Sequence, residues 1–261
     1  MARWIEAVLG RERTVTLVGL TVLVALAWIY LLRLSREAVS MAEMGMAHLG
    51  PWTLTDAALA AGMWAVMMVA MMLPSAAPMI LVFVTVNRRR GLDANAPFVS
   101  IGLFTLGYLL VWGVFSVGAT GAQWGFQRAA VLAEATLALT PLVGAAVLVA
   151  AGLWQLTPLK YACLARCQTP IGFLLGEWRE GRRGTLVMGL RHGLYCLGCC
   201  WALMALLFVG GVMNLAWVAA IAAFVLVEKT VPAGRVVSWL CGGALIAGGL
   251  VMLGFAWSIP H

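Results

Sequence analysis

Five cysteines in two short segments have the residue type and spacing of metal ligands. Cys163 and Cys167 lie four positions apart, and the stretch CLGCC contains Cys196, Cys199 and Cys200. Spacings of three and four positions place side chains on one face of a helix. Clustered thiolates in a low-dielectric environment repel one another, and a bound cation that deprotonates the thiols offsets their charge. The donors fit Cu(I) or Zn(II).

Methionines form a second candidate group, because nine of the 13 that follow the initiator lie between residues 41 and 79. Met41, Met44 and Met46 stand beside His48 in the segment MAEMGMAH, which we expect to be an outer loop. A thioether in such a loop has no apolar core to fill. Thioethers bind Cu(I) and survive an oxidising compartment, where free thiols form disulfides. We therefore expect these four side chains to bind Cu(I).

Further methionines follow the face of one predicted helix. Met63, Met67 and Met71 are spaced i, i+4, i+8, and Met68 and Met72 form a second i, i+4 pair beside them. Such a face would carry a track of sulfur atoms inward from the outer loop. Methionine is also a flexible filler of helix packing, and this alternative is equally open for these five residues.

The composition determines which elements must position these residues. The chain has 261 residues, of which 63% are hydrophobic and 10% charged, and its mean hydropathy of +0.98 excludes an ordinary water-soluble domain. Apolar runs of about 20 residues are long enough to cross a bilayer as helices. We predict an all-α integral membrane protein, with residues 1–261 as a single polytopic domain built from a bundle of about seven transmembrane helices. The predicted spans are 14–34, 56–86, 97–119, 137–159, 187–210, 213–228 and 235–257.

The distribution of the 17 lysines and arginines predicts the orientation of the bundle. With a cytoplasmic N-terminus, thirteen of them fall on inner segments and only Arg33, Arg36 and Arg128 on outer ones. This asymmetry accounts for the net charge of +7 without a nucleic-acid partner. It also predicts an outer methionine-rich loop over about 35–55 and a cytoplasmic cysteine-containing loop over about 160–186.

The remaining basic residue predicts the depth of the cysteines. Because a guanidinium is costly in lipid, Arg191 and His192 are expected near the inner membrane edge. Cys196 to Cys200 then enter the membrane by only about 5–10 Å, and both cysteine groups can reach one level. Glu228 and Lys229 end the sixth span near that level, where we expect a structural ion pair. A supporting contact from Glu228 to the metal ligands is the alternative.

Four segments of the chain resemble a bacterial family of uncharacterised integral membrane proteins that are described as predicted metal-binding, some of them labelled copper chaperones. These segments are MWAVMMVAMMLPSAAPM at 63–79, QLTPLKYACLARCQTP at 155–170, GLYCLGCCWALM at 193–204 and GVMNLAWVAAIAAFVLVEKTVPAG at 211–234. The resemblance implies a multi-pass protein of the bacterial inner (cytoplasmic) membrane. It also implies that the family's motif positions include Met67, Met68, Met71, Met72, Cys163, Cys167, Cys196, Cys199, Cys200 and Glu228.

Together these features predict a metal-handling membrane protein rather than an enzyme. Outer methionines would collect Cu(I), the thioethers of the second span would relay it, and the inner cysteines would hold it. Expected partners are the lipid bilayer and a membrane cuproenzyme or copper-trafficking protein. The sequence contains no phosphate-binding GxxxxGK[ST] motif, so ATP-driven pumping is not expected.

Two other functions remain open from the sequence. The Cys-x-x-Cys pair within CLGCC could exchange disulfides with a partner. Alternatively, the 12 tryptophans and the glycine-rich helix faces would suit a non-catalytic accessory subunit of a larger membrane complex.

Overall fold

The chain is helical throughout the part that the structure describes. The computed structural model describes residues 2–43, 52–90, 97–132 and 137–258, with side chains over 11–37, 52–90, 98–132 and 137–255. The ten helices of these ranges are α1 (Ala2–Glu43), α2 (Leu54–Arg89), α3 (Pro97–Arg128), α4 (Pro141–Gln155), α5 (Pro158–Gln168), α6 (Pro170–Glu177), α7 (Gly181–Ala205), α8 (Leu207–Gly210), α9 (Leu215–Thr230) and α10 (Gly234–Ser258). The all-α prediction is confirmed for these residues.

Within the described ranges, five helical segments are long and apolar enough to cross a membrane, as expected of a multi-pass membrane protein. They are Arg11–Glu37, Leu54–Arg89, Phe98–Arg128, Gly181–Gly210 and Gly234–Phe255. Helices α4 and α5 meet at a bend of 65° and would together form a sixth span. Helix α9 has 16 residues, fewer than the about 20 that a bilayer requires. The predicted count of seven therefore has the support of five helices, or six with the bent pair.

Helix-start signals explain why the predicted cytoplasmic loop over 160–186 is largely helical. Pro158 and Pro170 occupy the first turns of α5 and α6, where a missing N–H costs no hydrogen bond. The Thr157 hydroxyl caps α5 by accepting from the backbone N–H of Lys160 at 3.3 Å. The cysteine pair of this segment is thus carried on α5, and the cytoplasmic position of the segment stays a prediction.

Helix α1 continues to Glu43, so the first part of the predicted outer segment over about 35–55 is helical. Helix α2 begins after Thr53, whose hydroxyl accepts from the backbone N–H of Asp56 at 3.2 Å. The Asp56 carboxylate in turn accepts from the backbone N–H of Thr53 at 2.8 Å. This reciprocal capping box fixes the start of the methionine-bearing helix.

Glycines allow α7 to approach α3 closely. A Cβ added at Gly193 would lie 2.9 Å from the Val111 side chain, and one added at Gly189 would overlap the backbone of Phe104. Gly152 of α4 makes a similar approach to α10, with the Gly242 carbonyl 2.8 Å from an added Cβ. Small residues that permit such close backbone contact are typical of helix packing in membranes.

Helix α2 lies at the centre of the bundle, whereas α1 and α10 lie at its periphery. The α2 side chains from Met63 to Val84 include a large share of the buried core, among them the fully enclosed Trp64 and Phe83. In contrast, Val18 and Leu26 of α1 and Leu240 of α10 are exposed, as expected of helices that face lipid. The Arg88 guanidinium lies 3.2 Å from the Glu12 carboxylate and joins α2 to α1.

Candidate metal centre

Three thiols are buried together on one face of α7. Cys196, Cys199 and Cys200 are each at most 1% exposed. The thiols of Cys199 and Cys200 donate to the Cys196 carbonyl oxygen at 3.1 and 2.9 Å. Both sulfurs therefore point toward the backbone of their own helix. A rotation of each side chain would be needed to turn its sulfur toward another partner.

The Cys196 sulfur has polar partners from two other helices. The Lys229 Nζ of α9 donates to the sulfur at 2.9 Å, and the Tyr108 hydroxyl of α3 lies 3.0 Å from it. A cation beside a thiol favours the thiolate, which is the form that binds metal. Cys196 is thus held in an electropositive position.

A thioether of α2 completes this cluster of sulfur atoms. The Cys200 sulfur lies 3.9 Å from the Met72 sulfur. The Tyr108 hydroxyl also donates to the Met72 carbonyl at 3.0 Å, so one tyrosine contacts both α2 and Cys196. We refer to Met72, Cys196, Cys199 and Cys200 as the sulfur cluster.

The cysteines of α5 lie beside the sulfur cluster. Helix α5 packs against α7, and the Cys167 side chain lies beside that of Cys199. A Cβ added at Gly198 would lie only 2.7 Å from the Cys163 sulfur, so this sulfur packs against the backbone of α7. The bend between α4 and α5 thus brings the two cysteine groups together, and all five thiols are free.

The ion pair expected near Glu228 and Lys229 is formed by Glu228 and Lys160. The Glu228 carboxylate lies 2.6 Å from Nζ of Lys160 in α5, and both side chains are fully buried. The Lys229 ammonium instead contacts Cys196 and, at 3.2 Å, the Ser75 hydroxyl of α2. Adjacent helical residues point in directions about 100° apart, so the two side chains serve different neighbours.

Glu228 also connects helices whose association no local sequence pattern predicts. Its carboxylate accepts from the Ser238 hydroxyl at 2.5 Å, and its carbonyl accepts from the Gln168 amide at 2.8 Å. Lys160 makes a second contact with the Gln155 side chain. This network fixes α5 against α9 and α10 and so supports the position of Cys167.

The two residues expected at the inner membrane edge have different surroundings. Arg191 pairs with Glu177 and is partly exposed. His192 is only 3% exposed, and its ring stacks on Tyr108 with centroids 5.5 Å apart. Its Nδ1 atom has no hydrogen-bond partner among the described side chains.

Sequence reasoning missed Tyr108, although a tyrosine within an apolar span signals a polar tip that needs a partner.

The other predicted ligands lie apart from these contacts. Met63, Met67, Met68 and Met71 are buried in the core of α2. Met44, Met46 and His48 lie outside the described residues, as does the side chain of Met41. The outer group therefore stays a prediction.

The arrangement is not a preformed metal cage. Over the ranges that the structure describes, no group of three or more histidine, cysteine, aspartate or glutamate side chains is positioned to hold a metal ion. The inward hydrogen bonds of Cys199 and Cys200 account for this, because their sulfurs point at a carbonyl rather than at a common centre. Binding at this cluster would need thiol rotation.

Comparison with known proteins identifies the family. No curated protein and no solved structure matches the chain. A family model described as PpoB2, copper chaperone, matches residues 61–252, which is more than half of the chain. The matched residues include the sulfur cluster, the α5 cysteines and the buried methionines of α2. The chain therefore belongs to this copper chaperone family, whose description indicates copper handling.

Proposed function

We propose that the protein binds Cu(I) at the sulfur cluster and transfers it to a partner, as a membrane-embedded copper chaperone. The observation that carries the proposal is the contact between α7 and α2, where the thiol of Cys200 lies 3.9 Å from the Met72 thioether among buried thiols. Thiolate and thioether are the soft ligands that select Cu(I). Zn(II) would be the competing ion at the same thiolates.

The hydrogen bonds of the cluster suggest how copper would enter. Cys196 already lies against a cation and is the natural first ligand. Cys199 and Cys200 would then release the Cys196 carbonyl and turn toward the ion. Each released bond is a neutral thiol donor to a carbonyl, which is weak, so the rotation costs little. Because donors are exchanged one at a time, copper need not be released into water.

The methionines suggest the route to the cluster. Met63, Met67, Met68 and Met71 precede Met72 on α2, and we propose that they relay Cu(I) along this helix. Met41, Met44, Met46 and His48 would collect the ion on the outer side. The α5 cysteines, Cys163 and Cys167, would receive it on the cytoplasmic side. A membrane cuproenzyme or a copper-trafficking protein of the bacterial inner membrane would be the partner.

The proposal is tested by the metal content of the purified, detergent-solubilised protein. After anaerobic Cu(I) loading and desalting, we expect about one or more copper ions per chain, measured by mass spectrometry. A variant with Cys163, Cys167, Cys196, Cys199 and Cys200 all changed to Ser should retain none. Cys241→Ser is the matched control, because this sulfur lies beside Gln155 rather than in the cluster. Copper absent from the wild type, with its thiols intact, would contradict the proposal.

One contact favours thiol–disulfide exchange as a second candidate function. Cys167 of α5 and Cys199 of α7 lie beside each other, and their oxidation to a disulfide would give two electrons and two protons to a partner's disulfide. In that case, Cys199→Ser should trap a partner as a mixed disulfide on Cys167. Retention of copper without any trapped partner would exclude this function.

A further inference from the structure

The surroundings of Lys229 differ from those of a typical buried lysine. Its side chain is 7% exposed, and its Nζ atom contacts the Cys196 sulfur and the Ser75 hydroxyl. The ion pairs found among the described side chains give it no carboxylate. The nearby acid, Glu228, is already paired with Lys160.

A buried ammonium requires a negative partner, because an unpaired charge in a low-dielectric interior is strongly unfavourable. The only group of that kind in contact with Lys229 over the described ranges is the sulfur cluster. The chain contains two lysines, and the other is neutralised by a carboxylate. Over the described ranges, Lys229 therefore places at the sulfur atoms one positive charge that no carboxylate offsets.

This charge acts differently on ions of different valence. The Coulomb repulsion between an ammonium and a bound ion is proportional to the charge of the ion, so it is twice as large for a divalent ion as for a monovalent one. The attraction of the thiolates favours the divalent ion. However, this attraction is the same with and without the ammonium, so it drops out when the two cases are compared for one set of thiolates. The presence of Lys229 therefore shifts the preference toward the monovalent ion.

We propose that Lys229 determines the valence specificity of the sulfur cluster, favouring Cu(I) over Zn(II). This inference rests on the proposed function, since it concerns the ion that the cluster binds. Lys229 is a specificity-determining residue that acts through its charge, without contributing a ligand. Lys160 has no equivalent effect, because the Glu228 carboxylate offsets its field at the cluster.

The experiment compares wild type, Lys229→Met and Lys229→Arg in detergent. Affinities for Cu(I) and Zn(II) are measured anaerobically at one pH by competition with chromophoric chelators, and their ratio is the readout. At an effective dielectric constant of about 20, the repulsion between two unit charges about 4–6 Å apart lowers a binding constant by about 100-fold or more. With screening by water and thiolates, we expect Lys229→Met to lower the Cu(I)/Zn(II) ratio by at least about tenfold. Lys229→Arg keeps the charge and should keep the ratio within about threefold of the wild type.

The ratio distinguishes a charge effect from a packing effect, because distortion of the cluster would weaken both ions together. Ag(I) and Cd(II) repeat the comparison with ions that do not change oxidation state. If Lys229→Met lacks a cooperative thermal transition, Lys229→Gln takes its place. Copper retention with an unchanged ratio would overturn the inference and leave the proposed function intact. A wild-type protein that binds neither Cu(I) nor Ag(I) would overturn both.

Discussion

The cysteine face of α7 and the methionine face of α2 are both buried, but their surroundings differ. The Cys196 sulfur contacts a lysine from α9 and a tyrosine from α3, and the Cys199 thiol meets a thiol from α5. The methionines from Met63 to Met71 belong to the hydrophobic core, where the tilted rings of Trp64 and Phe208 pack with centroids 5.1 Å apart. Among the hydrogen bonds of the described residues, the thioether that meets a cysteine sulfur is that of Met72.

The difference indicates that burial alone does not identify a functional sulfur. Buried methionines pack well in any apolar core. In contrast, gathering a lysine, a tyrosine and three thiols in a low-dielectric region costs folding free energy. Such a group is therefore better evidence of function than buried methionines are. The polar contacts therefore distinguish the sulfur cluster from the methionines that precede Met72 on α2.

The largest effect on stability should come from the buried ion pair between Lys160 and Glu228. Lys160→Met leaves the Glu228 carboxylate buried without a cation, and we expect a loss of about 3–5 kcal/mol of folding free energy. The thermal transition in detergent measures it. The double variant Lys160→Met with Glu228→Gln removes both charges and should recover most of this loss. Equal transition temperatures for the single variant and the wild type would show that the pair is not needed.

Met72→Leu should produce a smaller effect, restricted to metal binding. Leucine keeps the apolar volume but removes the sulfur that contacts Cys200. We expect Cu(I) affinity to fall by about tenfold, or about 1.4 kcal/mol, with little change in stability. Chelator competition measures the affinity. Met79→Leu is the matched control, since Met79 is equally buried on α2 but lies beyond Pro74 and Pro78. A similar loss in both variants would remove the distinction between Met72 and packing methionines.

The smallest effect on binding should come from the methionines that have apolar surroundings. Replacing Met63, Met67, Met68 and Met71 together with Leu should change equilibrium Cu(I) retention by less than about twofold, because none of these residues belongs to the cluster. If the relay operates, the rate of copper loading in membrane vesicles should nevertheless fall. An unchanged loading rate would assign these methionines to packing alone.

The sequence predicted the local features of the site but not its long-range contacts. Helical spacing and apolar runs predicted the α-helices and the two cysteine groups, because these depend on neighbouring residues. The pairing of Glu228 with Lys160 and the approach of Tyr108 to Cys196 join residues 68 and 88 positions apart. Such contacts depend on how the helices pack, and no local pattern encodes them.

The segment between 158 and 186 depends on helix packing in the same way. The predicted cytoplasmic segment over about 160–186 contains helices that begin at the Thr-Pro pairs 157–158 and 169–170. The Thr-Pro signals were visible in the sequence, but the 65° bend between α4 and α5, which accompanies the packing of α5 against α7, was not. That bend decides which cysteines meet.

The inward hydrogen bonds of Cys199 and Cys200 have a consequence for the lifetime of the thiols. A thiol must be ionised and accessible before a peroxide can oxidise it to sulfenic acid. Both side chains are fully enclosed, and their sulfurs are turned toward a backbone carbonyl of their own helix. Aqueous oxidants should therefore react slowly with them, so that the protein stays chemically intact between one delivery of copper and the next.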